Sequence, residues 1–557
     1  MRSPGLLAGL GAAAIVLATL TAYVPAMQAG YVWDDDYYVT ENEFIRSGEG
    51  LRRAWLEFGA TLQYYPLVHT TLFVEHSIWG LEPAGYHVVN ILLHTLSALL
   101  LWRLLACLGL RGAWLAAALF ALHPVHVESV AWITERKNVL SGVLYLAAAL
   151  VYLRFSPLPA PASLSTPPSG GTAEPARDWR FYPLLIVLFA LALFAKTVTA
   201  SLPAAILLVV WWKRGRLRWD DAAPLVPLMV LGAALGVTTA WMEKNLVGAA
   251  GADWSLGIVE RLVVAGRVVW FYAGKLVWPH PLCFVYPRWT IDGIDAHVIY
   301  PIAAAAVVAA LWLARGRIGR GPLAAVLFFG GTLFPALGFI DVYPHSFSYV
   351  ADHFQYLASV GLIALGAEGV ALARARLPVR ASRGLQLLVA AWLAAFCWLV
   401  WQQARNYQSI ETLFGDVIVH NPDSYLAHSH LGNVFFRRGD YASAIPHYTE
   451  ALRIRPNDEI STNNMAWALA TSPDPAMRDG QRAVELAERA ARLTDYGIPG
   501  VLDTLAAAYA AAGRYRRAVE TARQAIELAR SVGDFAQARE IEQKLRLYQR
   551  GRPYHER

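Results

Sequence analysis

Residues 425–458 read YLAHSHLGNVFFRRGDYASAIPHYTEALRIRPND. Leu431, Gly432, Phe435, Ala444, Tyr448, Ala451 and Pro456 stand at the offsets of a helix–turn–helix unit that recurs about every 34 residues. The small residues let two helices approach closely, and stacked pairs of such helices bury a shared core. A second copy starts near Pro499, with Leu502, Leu505, Ala506, Tyr509, Ala518 and Ala525 at the matching offsets. Between them, NNMAWALATSPDPAMRDGQRAVELAERAARL reads as a degenerate copy with an inserted loop. Three copies are about the minimum for a stable stack.

This is the spacing of the tetratricopeptide repeat, so residues 402–557 are expected to form an α-solenoid. Upstream the composition is different. The whole chain of 557 residues is 56% hydrophobic and only 16% charged, against about 25% charged in soluble domains. That excess marks residues 1–401 as a multispanning membrane domain, and the 20 tryptophans and 25 tyrosines suit interfacial belts. Nothing resembles a nucleic-acid surface. Cys107, Cys283 and Cys397 are scattered and suggest no disulfide framework. Residues 5–27 follow Arg2 as a signal peptide would, but the run is long and VPAMQAG offers no clean cleavage site, so an uncleaved anchor is expected.

Candidate spans lie near 5–27, 87–108, 112–124, 138–154, 181–195, 198–212, 222–241, 298–314, 322–339, 354–373 and 385–401, about eleven in all. Basic residues then sort the loops: Arg2; Arg103 and Arg111; Arg154, Arg177 and Arg180; Lys213 to Arg218; Arg315 to Arg320; Arg374 to Arg383. They fall on alternate loops, as cytoplasmic loops do. The N-terminus is therefore expected in the cytoplasm, and loops 28–86, 123–137, 242–297 and 340–353 outside, together with the repeats. Residues 255–278 carry Glu260, Arg261, Arg267 and Lys275 at near-helical spacing and read as an amphipathic helix on the outer surface, with full spanning as the other option. Residues 156–178 are rich in Pro, Ser and Ala and read as a disordered cytoplasmic linker.

The outer loops collect the ionisable groups. YVWDDDYYVT (31–40) sets Asp34, Asp35 and Asp36 just past the first span. LHPVHVESVAWITERKNVLSG (122–142) holds His123, His126, Glu128, Glu135, Arg136 and Lys137; LFAKTVTASLP holds Lys196; and FIDVYPHSFSYVADHFQYLASVG holds Asp352 and His353. Charges at membrane depth are costly and usually mark a functional pathway.

In that order, and with C-terminal repeats, these motifs resemble the transmembrane and tetratricopeptide-repeat-containing O-mannosyltransferases, here as a bacterial relative. These are GT-C glycosyltransferases, multispanning enzymes that use polyprenyl-phosphate sugars. HPVHVESVAWITERKN is the most specific part. The resemblance implies an all-α GT-C fold in a bacterial cytoplasmic membrane, with catalysis on the outer side. It implies inverting transfer of a sugar, by analogy mannose, from a lipid-linked donor to a hydroxyl of an exported protein. The repeats would hold the polypeptide acceptor or a partner, and no cofactor is required. Asp35 or Asp34 would take the acceptor proton. Arg136, Lys137 and Lys196 would bind the donor phosphate, with Arg136 matching the family's phosphate arginine. His123, His126, Glu128, Glu135, Asp352 and His353 would support the acceptor side. Relatives carry Arg where this chain has His353, which weakens that position as a phosphate ligand.

Other readings remain open at this stage. Asp34–Asp36 also fit a solvated acidic turn or a divalent-metal site. His123 and His126 have zinc-like spacing but no third ligand in register. Arg136 and Lys137 also fit interface snorkelling, and Lys196 a helix end. At the level of function, the alternatives are a non-catalytic membrane scaffold, a transporter, or a GT-C enzyme acting on a glycan or lipid.

Overall fold

A computed structural model describes residues 4–158, 176–249, 251, 254–291 and 296–556. Most of the segment expected as a linker, 159–175, lies outside the described residues, as does Arg2. The described residues form helices and turns without a strand. They make two compact units, one ending at Ser409 and the other beginning at Ile410.

Among the described residues of the first unit, six helical stretches are long and apolar enough to cross a membrane: Gly5–Ala22, Pro83–Cys107, Ile133–Phe155, Trp219–Val247, Ile299–Ile318 and Val379–Gln408. A bent pair, Ala113–Leu122 with Pro124–Ala131, makes a seventh if its two arms count as one span. The expected count of about eleven is therefore not confirmed among the described residues. The physical reason is helix breaking. Tyr182–Ala195 and Leu202–Arg214 are helices of 14 and 13 residues, separated by a turn. Gly321–Thr332 stops after 12 residues. At about 1.5 Å per residue, none reaches the roughly 30 Å of a bilayer core. Ser359–Arg376 starts five residues later than the pattern suggests, behind short turns at Tyr343–Ser346 and Asp352–Gln355. The amphipathic stretch is the helix Ile258–Val277, whose Arg261 pairs with Asp341 at 2.8 Å.

The breaks matter because a membrane-depth backbone must satisfy its polar groups internally. The break at His123–Glu135 does so by complete burial: every residue from Ala121 to Arg136 is buried. Three further breaks, at residues 31–40, 196–201 and 343–355, supply the other ionisable side chains.

The second unit stacks helical hairpins: Tyr425–Arg437 with Tyr441–Ile454, Glu459–Thr471 with Gly480–Leu493, and Pro499–Ala511 with Tyr515–Ser531, followed by Phe535–Tyr548. The starts are encoded locally. Ser424, Asp440, Asp458, Asp479 and Asp534 each accept a backbone N–H of the first turn they precede. Gly432 is required by packing, since a Cβ there would meet the Tyr448 ring at 2.7 Å. The first helices of successive hairpins pack on one another, more closely than the second helices do, so the first helices line the inner curve of the stack.

Candidate functional site

The turn after the first span begins with Trp33 in the left-handed region, at φ 47°. A bulky residue there is strained. Its indole is held by stacking on Trp132 at 5.9 Å and by edge contact with Phe284 at 5.0 Å. This fixes the next three residues, whose carboxylates diverge. Asp35 is fully buried: Oδ2 accepts from Val32 N (2.9 Å), and Oδ1 accepts from both Thr134 N (2.8 Å) and Thr134 Oγ1 (2.7 Å). Asp36 accepts from Thr40 Oγ1 within its own turn. Asp34 is partly exposed, and its buried Oδ1 has no hydrogen-bond partner among the described residues. Burial pushes the Asp34 carboxyl up to about 6, against the pull of the Lys137 ammonium and with the push of Glu135. Asp35 is pushed to about 7 by burial, opposed by its Val32 and Thr134 hydrogen bonds.

Next to Asp34 lies the Ile133–Glu135 turn and the start of the Arg136–Phe155 helix. Glu135 is fully buried and holds two ammoniums, Lys137 on Oε1 at 3.1 Å and Lys196 on Oε2 at 3.2 Å. Asn138 joins them, donating to Glu135 at 2.5 Å and accepting from Lys196 at 2.7 Å. The two lysine side chains keep 11% and 15% of their surface, so this pair is reachable. Lys137 also lies over the Tyr38 and Trp132 rings.

Behind Glu135, His353 Nε2 stands 3.9 Å away, and His353 Nδ1 meets Glu128 Oε1 at 2.5 Å. Burial drives His353 down to about 3, so it is a neutral imidazole at pH 7, and its Nδ1 shares a hydrogen bond with the Glu128 carboxyl, which burial pushes up. Glu128 also accepts from Asp352 N (3.1 Å), and Asp352 accepts from the Tyr286 hydroxyl at 3.0 Å. The structure thus joins Asp34, Lys137, Glu135, Lys196, Asn138, His353, Glu128 and Asp352 into one polar strip.

Four expected site residues sit apart from it: Asp35, whose oxygens are taken by Val32 and Thr134, and Arg136, His123 and His126. Arg136 is fully buried, and all five of its N–H groups go to protein. Nη1 and Nη2 grip Glu75 (2.9 Å for the Nη2 bond), Nε meets Asn90 Oδ1 at 2.5 Å, and the rest reach Thr71 Oγ1 and Tyr86 O. The phosphate grip expected of Arg136 therefore has no donor available, and its pair is internal. His123 meets Leu276 O through Nε2 at 3.0 Å, and His126 bridges Phe120 O and Ser359 Oγ. Both are buried imidazoles tying the bend to neighbouring backbone. Among the described residues, no three His, Cys, Asp or Glu side chains converge as a metal would need. Asp35 and Asp36 in particular turn to different partners, Val32 and Thr134 for one and Thr40 for the other.

Glu75, Asn90, Thr134 and Asn138 were not singled out in the sequence. Glu75 carried a signal: it is the only carboxylate in the apolar helix PLVHTTLFVEHSIW, where a buried cation is its natural partner.

Models of the tetratricopeptide repeat match residues 425–458 and 501–534. Protein O-mannosyl-transferase TMTC1 of Homo sapiens is 25% identical over 518 residues, covering 82% of this chain and 57% of that protein. Protein O-mannosyl-transferase Tmtc3 of Drosophila melanogaster is 33% identical over 172 residues, covering 25% of this chain and 18% of the relative. TMTC2 of Mus musculus is 30% identical over 146 residues, again 18% of its length. The chain is a relative of these proteins and spans about half the length of the human one or less of the others.

Proposed function

We propose that this relative of the protein O-mannosyl-transferases is itself a glycosyltransferase. In this reading it moves a sugar, by analogy mannose, from a polyprenyl-phosphate donor to a serine or threonine hydroxyl of a protein acceptor. The observation that carries it is Asp34, a desolvated carboxylate with an unpartnered oxygen that feels the Lys137 ammonium, while Glu135 pairs that ammonium with a second one, Lys196. The acceptor oxygen attacks the sugar C1 while Asp34 takes its proton. The bond from C1 to the phosphate oxygen breaks, its electron pair stays on the lipid phosphate, and the anomeric configuration inverts. The phosphate goes from one negative charge to two, and Lys137 and Lys196 supply the compensating charge in a site largely closed to water. Glu135 is a positioning residue: it sets the spacing of the two lysines and leaves the trio with one net positive charge.

Asp34 is favoured over Asp35 as the base. Asp35 spends both oxygens on three hydrogen bonds and is sealed from a substrate. The alternation of basic loops supports a site on the non-cytoplasmic face of the membrane, with the N-terminus inside; a bacterial cytoplasmic membrane rests on the resemblance alone. The repeats support a polypeptide acceptor or partner. No metal is required by this scheme.

The test uses purified protein in nanodiscs, radiolabelled polyprenyl-phosphate-mannose and cell-envelope protein as acceptor, comparing wild type with Asp34→Asn and Asp35→Asn. Label transfer that Asp34→Asn abolishes is expected. Donor binding without transfer would point to another sugar or acceptor, and no binding of any polyprenyl-phosphate sugar would favour a scaffold instead.

A further inference from the structure

We propose that residues 551–556 occupy the peptide-binding face of the repeat unit as a built-in ligand, and that the partner this face fits is an extended segment with a tyrosine and, two residues on, a glutamate. This rests only on the repeat unit binding peptide, and is independent of sugar transfer.

After the Phe535–Tyr548 helix the chain reverses at Gly551, in the left-handed region at φ 67°, and continues without helical structure. It then meets residues of two first helices, Glu459–Thr471 and Phe535–Tyr548, and through Lys544 the first helix between them, all three lining the inner curve. The Tyr554 ring packs on Trp467 of Glu459–Thr471, with centroids 6.0 Å apart. Lys544 of Phe535–Tyr548 lies 4.4 Å from the Trp467 ring and 5.4 Å from the Tyr554 ring. Lys544 is anchored in turn to Asp503 of Pro499–Ala511 at 2.5 Å, with both side chains nearly buried. Glu556 makes two directed bonds: Trp467 Nε1 donates to its Oε1 at 3.2 Å, and its own N–H donates to Thr471 O at 2.8 Å. Thr471 is the last residue of its helix, so that carbonyl is one the helix itself leaves unpaired. Each contact is of a kind that an extended peptide makes with such a groove: one aromatic anchor, one carboxylate on an indole N–H, and one main-chain bond. None depends on the peptide being covalently attached to Tyr548. An attached segment holds a high effective concentration, so a competitor in solution meets a face already covered.

The experiment titrates two fluorescein-labelled peptides into the detergent-solubilised full chain and follows polarisation. One peptide is GRPYHER. The other has an unrelated sequence that keeps only the tyrosine and the glutamate two residues later. The chains are wild type, a truncation lacking residues 552–557, and the double variant Tyr554→Ala/Glu556→Ala, which keeps the backbone should the truncation fail to fold. We expect both peptides to bind the folded unmasked chains at least tenfold more tightly than wild type, and Trp467→Ala added to either to remove the gain. Equal binding to wild type and to whichever unmasked chain is folded overturns the proposal. So does a gain that survives Trp467→Ala, because the face would then lie elsewhere. Sugar transfer plays no part in the readout, so a failure here leaves the catalytic reading standing.

Discussion

Arg136 and Glu75 offer the sharpest test of the layout, because a phosphate-binding arginine and a structural one respond oppositely to removal. Arg136→Ala leaves the Glu75 carboxylate nearly buried, with Asn90 Oδ1 and Tyr86 O also deprived of a donor. Breaking a buried ion pair from one side costs about 3–5 kcal/mol. An independent estimate comes from protonation. Without its cation, Glu75 is raised by burial and takes up a proton. Holding a carboxyl neutral at pH 7 costs about 1.4 kcal/mol for each pH unit above its unfolded value near 4.3, roughly 3.7 kcal/mol in all. The two figures agree, and the second predicts a pH dependence. The orphaned carboxyl has a raised folded pKa, so the loss grows as pH rises above about 4.3 and shrinks as pH falls towards it. Adding Glu75→Gln should recover most of the loss at pH 7. Unfolding in mixed micelles, followed by tryptophan fluorescence, reads the right unit, since 19 of the 20 tryptophans precede Ile410 and only Trp467 follows it. An Arg136→Ala chain that unfolds at the wild-type midpoint at pH 7, yet loses donor binding, would refute the reasoning and return Arg136 to the phosphate.

Four further outcomes follow from the same geometry. Asp34→Asn should lower transfer by about 10² or more while unfolding at the wild-type midpoint or above it at pH 8, because it removes a desolvated charge. The wild-type kcat/KM, measured in nanodiscs, should rise with pH through about 6, where Asp34 loses its proton, and fall again above about 8, where Lys196, pushed down by burial, loses the ammonium that faces the phosphate. Asp35→Asn should cost about 1–3 kcal/mol in the unfolding assay, because one amide NH2 must then face a Val32 or Thr134 donor. Lys196→Met should weaken donor binding and lower transfer about tenfold or more, whereas Lys196→Arg retains much of both, as read by donor titration and label release.

The repeats were legible because their signal is local. Small residues, caps and a turn glycine recur within a few tens of residues, and each hairpin satisfies itself and its neighbour. The membrane unit was legible in composition but not in span count. Apolarity says that a segment avoids water; it does not say where Lys196 or His123 ends a helix, because what stabilises the broken backbone comes from distant residues. The same holds inside the site. DDD and ERK name stretches that the structure brings together, but nothing local tells Asp34 from Asp35. That distinction is made by Thr134, about a hundred positions away. Likewise Arg136 is assigned to the core by Glu75 and Asn90, which lie on two other helices.

The division of labour within Glu135, Arg136 and Lys137 follows from helix geometry. Successive helical residues turn about 100° from one another, so three neighbours cannot face one site. The Arg136–Phe155 helix starts here, and its first residue points between Pro66–Trp79 and Pro83–Cys107, where Glu75 and Asn90 wait. Once the guanidinium is locked there by five hydrogen bonds, the helix cannot rotate without breaking a buried pair. Glu135 before it and Lys137 and Asn138 after it are thereby held towards Asp34 and Lys196. The arginine then serves the site without touching it: the pair that is costly to bury fixes the rotation on which the reachable lysines depend. Arg136→Lys should accordingly disturb the site through misrotation as well as stability, because a point charge cannot replace the bidentate grip.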